Sequence, residues 1–156
     1  MVHKAKKCRW RSGKGMPGSY EDIIEYIRKN PDREIHIGSD SQNVGDHYVF
    51  ATVVCLYSHG SGAKYFVKKE TSPLKRYQNL GSRLHHEVEL SISLADKIRY
   101  DVGQKNITVH ADVSQNPVHK SSRHTTSLRN FIRSMGFSCL VKPDSWASFV
   151  ADKHAK

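Results

Sequence analysis

The stretch IHIGSDSQNVGDHYVFATVVCLYSHGSGAKYFVKKE, residues 35–70, decides the fold. It holds three apolar runs separated by two short turns. Ile35 and Ile37 begin the first run, which passes through Gly38 and Ser39 to Asp40, and a strand is expected over 34–39. Asn43 to Asp46 has the residues of a turn. Residues 47–57, HYVFATVVCLY, are rich in β-branched and aromatic side chains and predict a second strand. Ser58 to Gly62 form another turn, and AKYFVKKE predicts a third strand. Turns this short favour an antiparallel meander.

On the N-terminal side, Ser19 can cap a helix with an apolar stripe of Ile23, Ile24 and Ile27, ended by Asn30-Pro31. On the C-terminal side the pattern changes. Residues 82–100 show helical spacing without Gly or Pro, and ITVHADV, 107–113, predicts a strand. A helix over 123–135 is stopped by Gly136, FSCLV at 137–141 predicts a strand, and Pro143-Asp144 leads into a last helix from about Ser145. The predicted order is α-β-β-β-α-β-α-β-α. A strand, a helix and another strand normally give a parallel pair with a right-handed crossover. The expected fold is α/β: a mixed five-stranded sheet, its first three strands antiparallel, with helices packed on it.

Composition bounds the function. The chain has 156 residues, 37% hydrophobic and 26% charged, which suits one globular domain. No apolar run approaches the ~20 residues that cross a bilayer, and no membrane partner is expected. The basic N-terminus is not followed by an apolar segment, so no secretory signal is expected and the setting is read as cytoplasmic. Three cysteines, Cys8, Cys55 and Cys139, form neither a disulfide framework nor a zinc pattern. Cys55 and Cys139 lie in apolar runs and read as core residues. The formal net charge of +10 and a pI near 9.6 favour a polyanionic partner, of which nucleic acid is the commonest. Lys4, Lys6, Lys7, Arg9, Arg11 and Lys14 all precede the first acid, Glu21. Residues 1–18 are expected to be a flexible basic arm that binds nucleic acid, and residues 19–156 a single domain. SGKGMPG and GSGAK imitate phosphate loops but lack the spacing and the strand–helix setting, and read as part of that arm and as a hairpin turn.

The acids need a reason. Asp40 at the end of a buried strand is either a turn former or an active-site acid. On a helical wheel of about 100° per residue, Glu87 falls between Ile98 and Leu94, beside the apolar face, whereas Glu89 falls on the polar side with Asp96. A charge at Glu87 needs an internal cation or a metal ion. Asp112 ends its strand as Asp40 ends the other. If those two strands are parallel neighbours, both acids meet at the carboxyl rim where α/β sheets bind ligands. A hard divalent cation relieves the repulsion among them and also holds phosphate oxygens. In KPDSWASFVADK, Asp144 can cap the last helix, and Asp152 lies beside that helix's apolar face. Either offers a fourth carboxylate, and Asp152 is preferred.

IHIGSDSQ, LHHEVELSISLA, ITVHADVSQNP and KPDSWASFVADK, taken in order, resemble the ribonuclease H-like superfamily and, more narrowly, its YkuK-type family of predicted nucleases. The resemblance runs from about residue 34 to the C-terminus. It implies a meander of three antiparallel strands and an acidic cluster that falls, by motif position, on Asp40, Glu87, Asp112 and Asp152, with Asp144 as the rival fourth ligand. The GSDSQ motif departs from the TDGS form of ribonuclease H itself, so preference for RNA–DNA hybrids does not carry over. The function expected is a metal-dependent nuclease with two Mg²⁺ or Mn²⁺ ions held by these acids. The alternative is a non-catalytic nucleic-acid-binding module on the same fold. His85, His86 and His110 are read as surface or packing residues.

Overall fold

Ser19 starts the first helix as its spacing predicts. Its hydroxyl accepts the Asp22 N–H, and the Asp22 carboxylate accepts the Ser19 N–H, which closes a capping box. The computed structural model describes residues 10–77, 79–103 and 106–155. Within them the chain runs β1 (Trp10–Ser12), β2 (Pro17–Gly18), α1 (Tyr20–Lys29), β3 (Glu34–Val44), β4 (His47–Ser58), β5 (Gly62–Pro73), α2 (Leu80–Val102), β6 (Ile107–Ser114), α3 (Ser122–Ser134), β7 (Ser138–Lys142) and α4 (Trp146–His154). A single 3-10 turn, Leu74–Arg76, precedes α2.

The strands form one sheet in the order β2-β1-β5-β4-β3-β6-β7. The expected meander is β3-β4-β5, antiparallel throughout. β6 pairs parallel with β3, and β7 with β6. The sheet is therefore seven-stranded, not five-stranded, and two strands precede the first helix. The difference lies in residues 10–18. They fold into a short antiparallel hairpin whose β1 pairs with the edge of β5. Trp10 is buried there, and the Lys68 ammonium sits 5.5 Å from its ring centre. Strands of two or three residues show no alternation, so their sequence looks like a loop. Lys4, Lys6, Lys7 and Arg9 lie outside the described residues; Arg11 and Lys14 are exposed on the hairpin.

A second difference concerns Asp40, which does not end its strand. β3 continues to Val44 because β4 supports it along its whole length. Only the parallel pairing with β6 stops early, at Gly38 opposite His110.

The two sheet faces are packed differently. Ile35 and Ile37 point toward α1, α2 and α3, into a core that includes Ile23, Ile27, Val88 and Ile98. The opposite face holds Ala51, Val53, Cys55 and Val67 against Ala147 and Ala151 of α4 and Ala155 just past its end. These small residues let the helix lie close. Gly38 is needed for that approach, because a Cβ there would lie 2.8 Å from the Ala147 carbonyl carbon and the Ser148 nitrogen. Cys55 is buried and Cys139 half-buried, and both are free thiols. Among the described residues, no helix is long and apolar enough to cross a membrane.

Candidate active site

Side chains alternate along β3. Ser39 and Ser41 face α2, whereas Asp40 shares the α4 face with Gly38. The Ser39 hydroxyl lies 2.7 Å from that of Ser91 on α2 and donates to Thr52 at 3.0 Å, which fixes the helix against the strand. One helical turn before Ser91 is Glu87. Its carboxylate is only 3% exposed and accepts the Ser41 hydroxyl at 2.5 Å. The wheel expectation holds: Glu87 is buried and Glu89 exposed.

Asp112 follows from register. Extending the pairing of Ile35 with Ile107 and Gly38 with His110 puts Asp40 level with Asp112, just past the last paired residues. Strands that have stopped pairing leave a gap at the rim, and Glu87 reaches it from α2. One carboxylate oxygen from each of Asp40, Glu87 and Asp112 lies within 4.8 Å of the others. Asp40 and Glu87 are buried, and Asp112 is partly exposed.

The electrostatics follow from that crowding. Burial pushes the Asp40 carboxyl far above the usual carboxylate range, and the charges of Glu87 and Asp112 push it further. The neighbouring carboxyl groups of Asp152 and Asp112 raise it further still. Glu87 is raised as well, chiefly by burial and by Asp112, against the Ser41 hydroxyl, Arg83 and Lys142. A proton or a cation must neutralise this cluster. Hard oxygen donors at this separation fit Mg²⁺ or Mn²⁺.

The rival fourth ligands are placed differently. Asp152 on α4 accepts the Gln42 side-chain amide at 2.6 Å and approaches Asp40. Asp144 is exposed in the turn before α4. It is not the helix cap either, because Ser145 takes that position. Neither belongs to the close trio. His85 is exposed and stacks on Phe131, His86 packs between Tyr77 and Phe50, and His110 is buried against His36.

Sequence reasoning missed four supporting residues. Lys142 at the end of β7 places its ammonium 3.0 Å from Asp112 Oδ1. Ser41 holds Glu87, Gln42 holds Asp152, and Gly38 admits α4. Ser41 and Gln42 lie inside the GSDSQ motif and could have been found there. Lys142 carries no local signal, since its role depends on β7 lying beside β6.

Comparison with known proteins adds a family. No curated protein matches the chain. Among solved structures, the crystal structure of RNase H1 from the halophilic archaeon Halobacterium salinarum NRC-1 is similar at 17% identity and a TM-score of 0.40, covering 78% of this chain and 99% of that one. The family described as ribonuclease H-like matches residues 19–156. Since that span takes in every carboxylate of the site and all but the hairpin of the sheet, the chain belongs to the ribonuclease H-like family.

Proposed function

We propose that this protein is a divalent-metal-dependent nuclease of the YkuK-type branch, hydrolysing phosphodiester bonds of DNA or RNA in a cytoplasmic setting. One observation carries the reading: three carboxylates, two of them buried, have oxygens within 4.8 Å of one another. Nothing in the packing of the core calls for that arrangement. A nucleic-acid-binding module would lose affinity from it, because carboxylates repel phosphate.

Asp40, Glu87 and Asp112 would hold Mg²⁺ or Mn²⁺, with Asp152 as the fourth acid. Two ions bound there would neutralise the phosphodiester, activate water and stabilise the leaving oxygen. The chain's own residues prepare the place. Ser41 fixes one oxygen of Glu87. The Ser41 backbone N–H holds Asp40 Oδ1 at 2.9 Å. Gln42 orients Asp152 from the same strand. The basic N-terminal residues, Lys4, Lys6, Lys7, Arg9, Arg11 and Lys14, would hold phosphates without reading sequence.

The test offers labelled single-stranded, duplex, hybrid and junction substrates with Mg²⁺ or Mn²⁺. Cleavage of at least one class is expected, and Asp40→Asn should lower it by about a thousandfold or more. No cleavage together with tight, salt-sensitive binding would favour the binding-module alternative. Cleavage that survives Asp40→Asn would reject the site.

A further inference from the structure

The β1–β2 hairpin lies outside the residues matched by the family, yet it is built firmly onto the sheet. Gly13 sits so close to Tyr65 that a Cβ would lie 2.7 Å from the ring. Its N–H donates to the Tyr65 carbonyl at 2.8 Å. The Tyr65 hydroxyl is 3.0 Å from His154 Nε2, so one tyrosine ties the hairpin to the end of α4. The Ser12 hydroxyl accepts the N–H groups of Lys14 and Met16, both at 3.2 Å, and Gly15 closes the turn at φ 86°.

A cleft of about 550 Å³ opens between this hairpin, β5 and the end of α4. Among the described residues its lining includes Arg11, Lys14, Lys69 and His154 and no carboxylate. Burial disfavours the charged form of His154, and the nearby ammonium groups of Lys69 and Lys153 disfavour it further. A second cleft of about 430 Å³ shares Lys14 and adds Arg33 and Lys64. Cations therefore follow the hairpin along both sides, and in the sequence Lys4, Lys6, Lys7 and Arg9 lead into it. Such a row is longer than one phosphate and suits the regular phosphates of a strand.

We propose that the hairpin cleft is a docking site for the phosphate backbone of a nucleic-acid strand whose reacting bond lies at the carboxylates. This rests on the nuclease reading, and α4 supplies the connection, since it carries both Asp152 and His154. The hairpin thus adds a backbone hold beyond the family's shared domain.

The experiment measures binding of labelled single-stranded and duplex oligonucleotides in EDTA, as a function of salt, so that catalysis does not enter. The variant Arg11→Gln/Lys14→Gln/Lys69→Gln should bind about tenfold or more weaker and lower the slope of log affinity against log salt by about 2–3. Lys29→Gln, which removes a charge paired with Glu25 on α1 at 3.1 Å, should stay within about twofold of the parent. Gly13→Val keeps every charge but unseats the hairpin, and should also weaken binding while circular dichroism shows the fold intact. Unchanged affinity and slope in the triple variant, or an equal loss in Lys29→Gln, would overturn the proposal. So would competition by inorganic phosphate at micromolar concentration, which would make the cleft a small-anion pocket. A parent protein that cleaves while the triple variant binds normally rejects the docking site alone. The docking site stands and the nuclease reading fails if the triple variant loses binding and the parent cleaves nothing.

Discussion

Strands β3 and β6 carry two polar pairs side by side, His36 with His110 and Asp40 with Asp112, and the two pairs solve burial in opposite ways. The Ala147 N–H donates to His110 Nδ1 at 3.1 Å. The proton of His110 must then sit on Nε2, which donates to His36 Nδ1 at 2.9 Å. His36 Nε2–H in turn donates to Glu34 Oε1 at 2.8 Å. Every ring nitrogen has a partner. Burial pushes His110 down to about 3, with His36 adding to the shift, so it stays neutral. The acid pair, joined by Glu87, has no such solution. Among the described residues, Lys142 pairs with Asp112 and the Arg83 charge acts on Glu87, so three carboxylates have two cations to balance them. A network that satisfies itself is structural, whereas one that collects like charge needs something from solution.

The largest expected effect tests the histidine half. His110→Ala leaves His36 Nδ1 and the Ala147 N–H without partners and opens a void beside the Trp146 ring, whose centre is 5.0 Å away. A loss of about 3 kcal/mol is expected, which corresponds to a Tm lower by roughly 6–12 °C for a chain of this size. Calorimetry with Mn²⁺ at a temperature where the variant is folded should still show binding. A variant that melts like the parent, or that binds no metal while folded, would break the contrast.

Next comes the acid half, where the sign reverses. Without metal, Asp40→Asn removes a buried carboxyl from among like charges, and should stabilise the fold by about 1–2 kcal/mol near pH 8, or a Tm about 2–8 °C higher. The pH dependence follows from the raised values of Asp40 and Glu87. Their contribution to stability is full below the unfolded carboxyl value of about 4 and is lost as pH rises toward the folded values. The advantage of Asp40→Asn should therefore be greatest at high pH and vanish near pH 4. Saturating Mn²⁺ should reverse the order, because only the parent keeps the full ligand set. If the variant is less stable at every pH without metal, the cluster is an ordinary structural network.

The contrast also explains what the sequence could show. Glu87 was legible because helical periodicity alone puts it beside Ile98 and Leu94. Asp40 and Asp112 were legible as strand-borne acids, and the expected topology allowed their strands to be parallel neighbours. The β3-β4-β5 meander followed from two short turns. Three things were not legible. Where β3 ends depends on its partner β4 rather than on its own residues, so Asp40 looked terminal. The hairpin at residues 10–18 is held by an edge supplied from β5, and its few residues show no period. Lys142 meets Asp112 only because β7 lies beside β6. Local patterns reveal the residues whose own element decides their fate, and hide those whose place is set by a neighbouring strand.

Lys142 is also where the comparison can be sharpened most finely. Its ammonium is the nearest positive charge to Asp112, and the pair is only partly buried, at 35% and 23% side-chain exposure. A pair this accessible is worth about 0.5–1 kcal/mol. If that ammonium occupies space and charge that a divalent ion would take, Lys142→Gln should destabilise the metal-free fold slightly and tighten Mn²⁺ binding by a factor of about 2–5. The two effects have one cause, the loss of a resident counter-charge, so they should appear together in a thermal melt and a calorimetric titration of the same variant. Weaker Mn²⁺ binding in Lys142→Gln would mean that the lysine orients Asp112 for the metal and does not compete with it. The acid half would then resemble the histidine half more closely than its charges suggest, as a network assembled before any ion arrives.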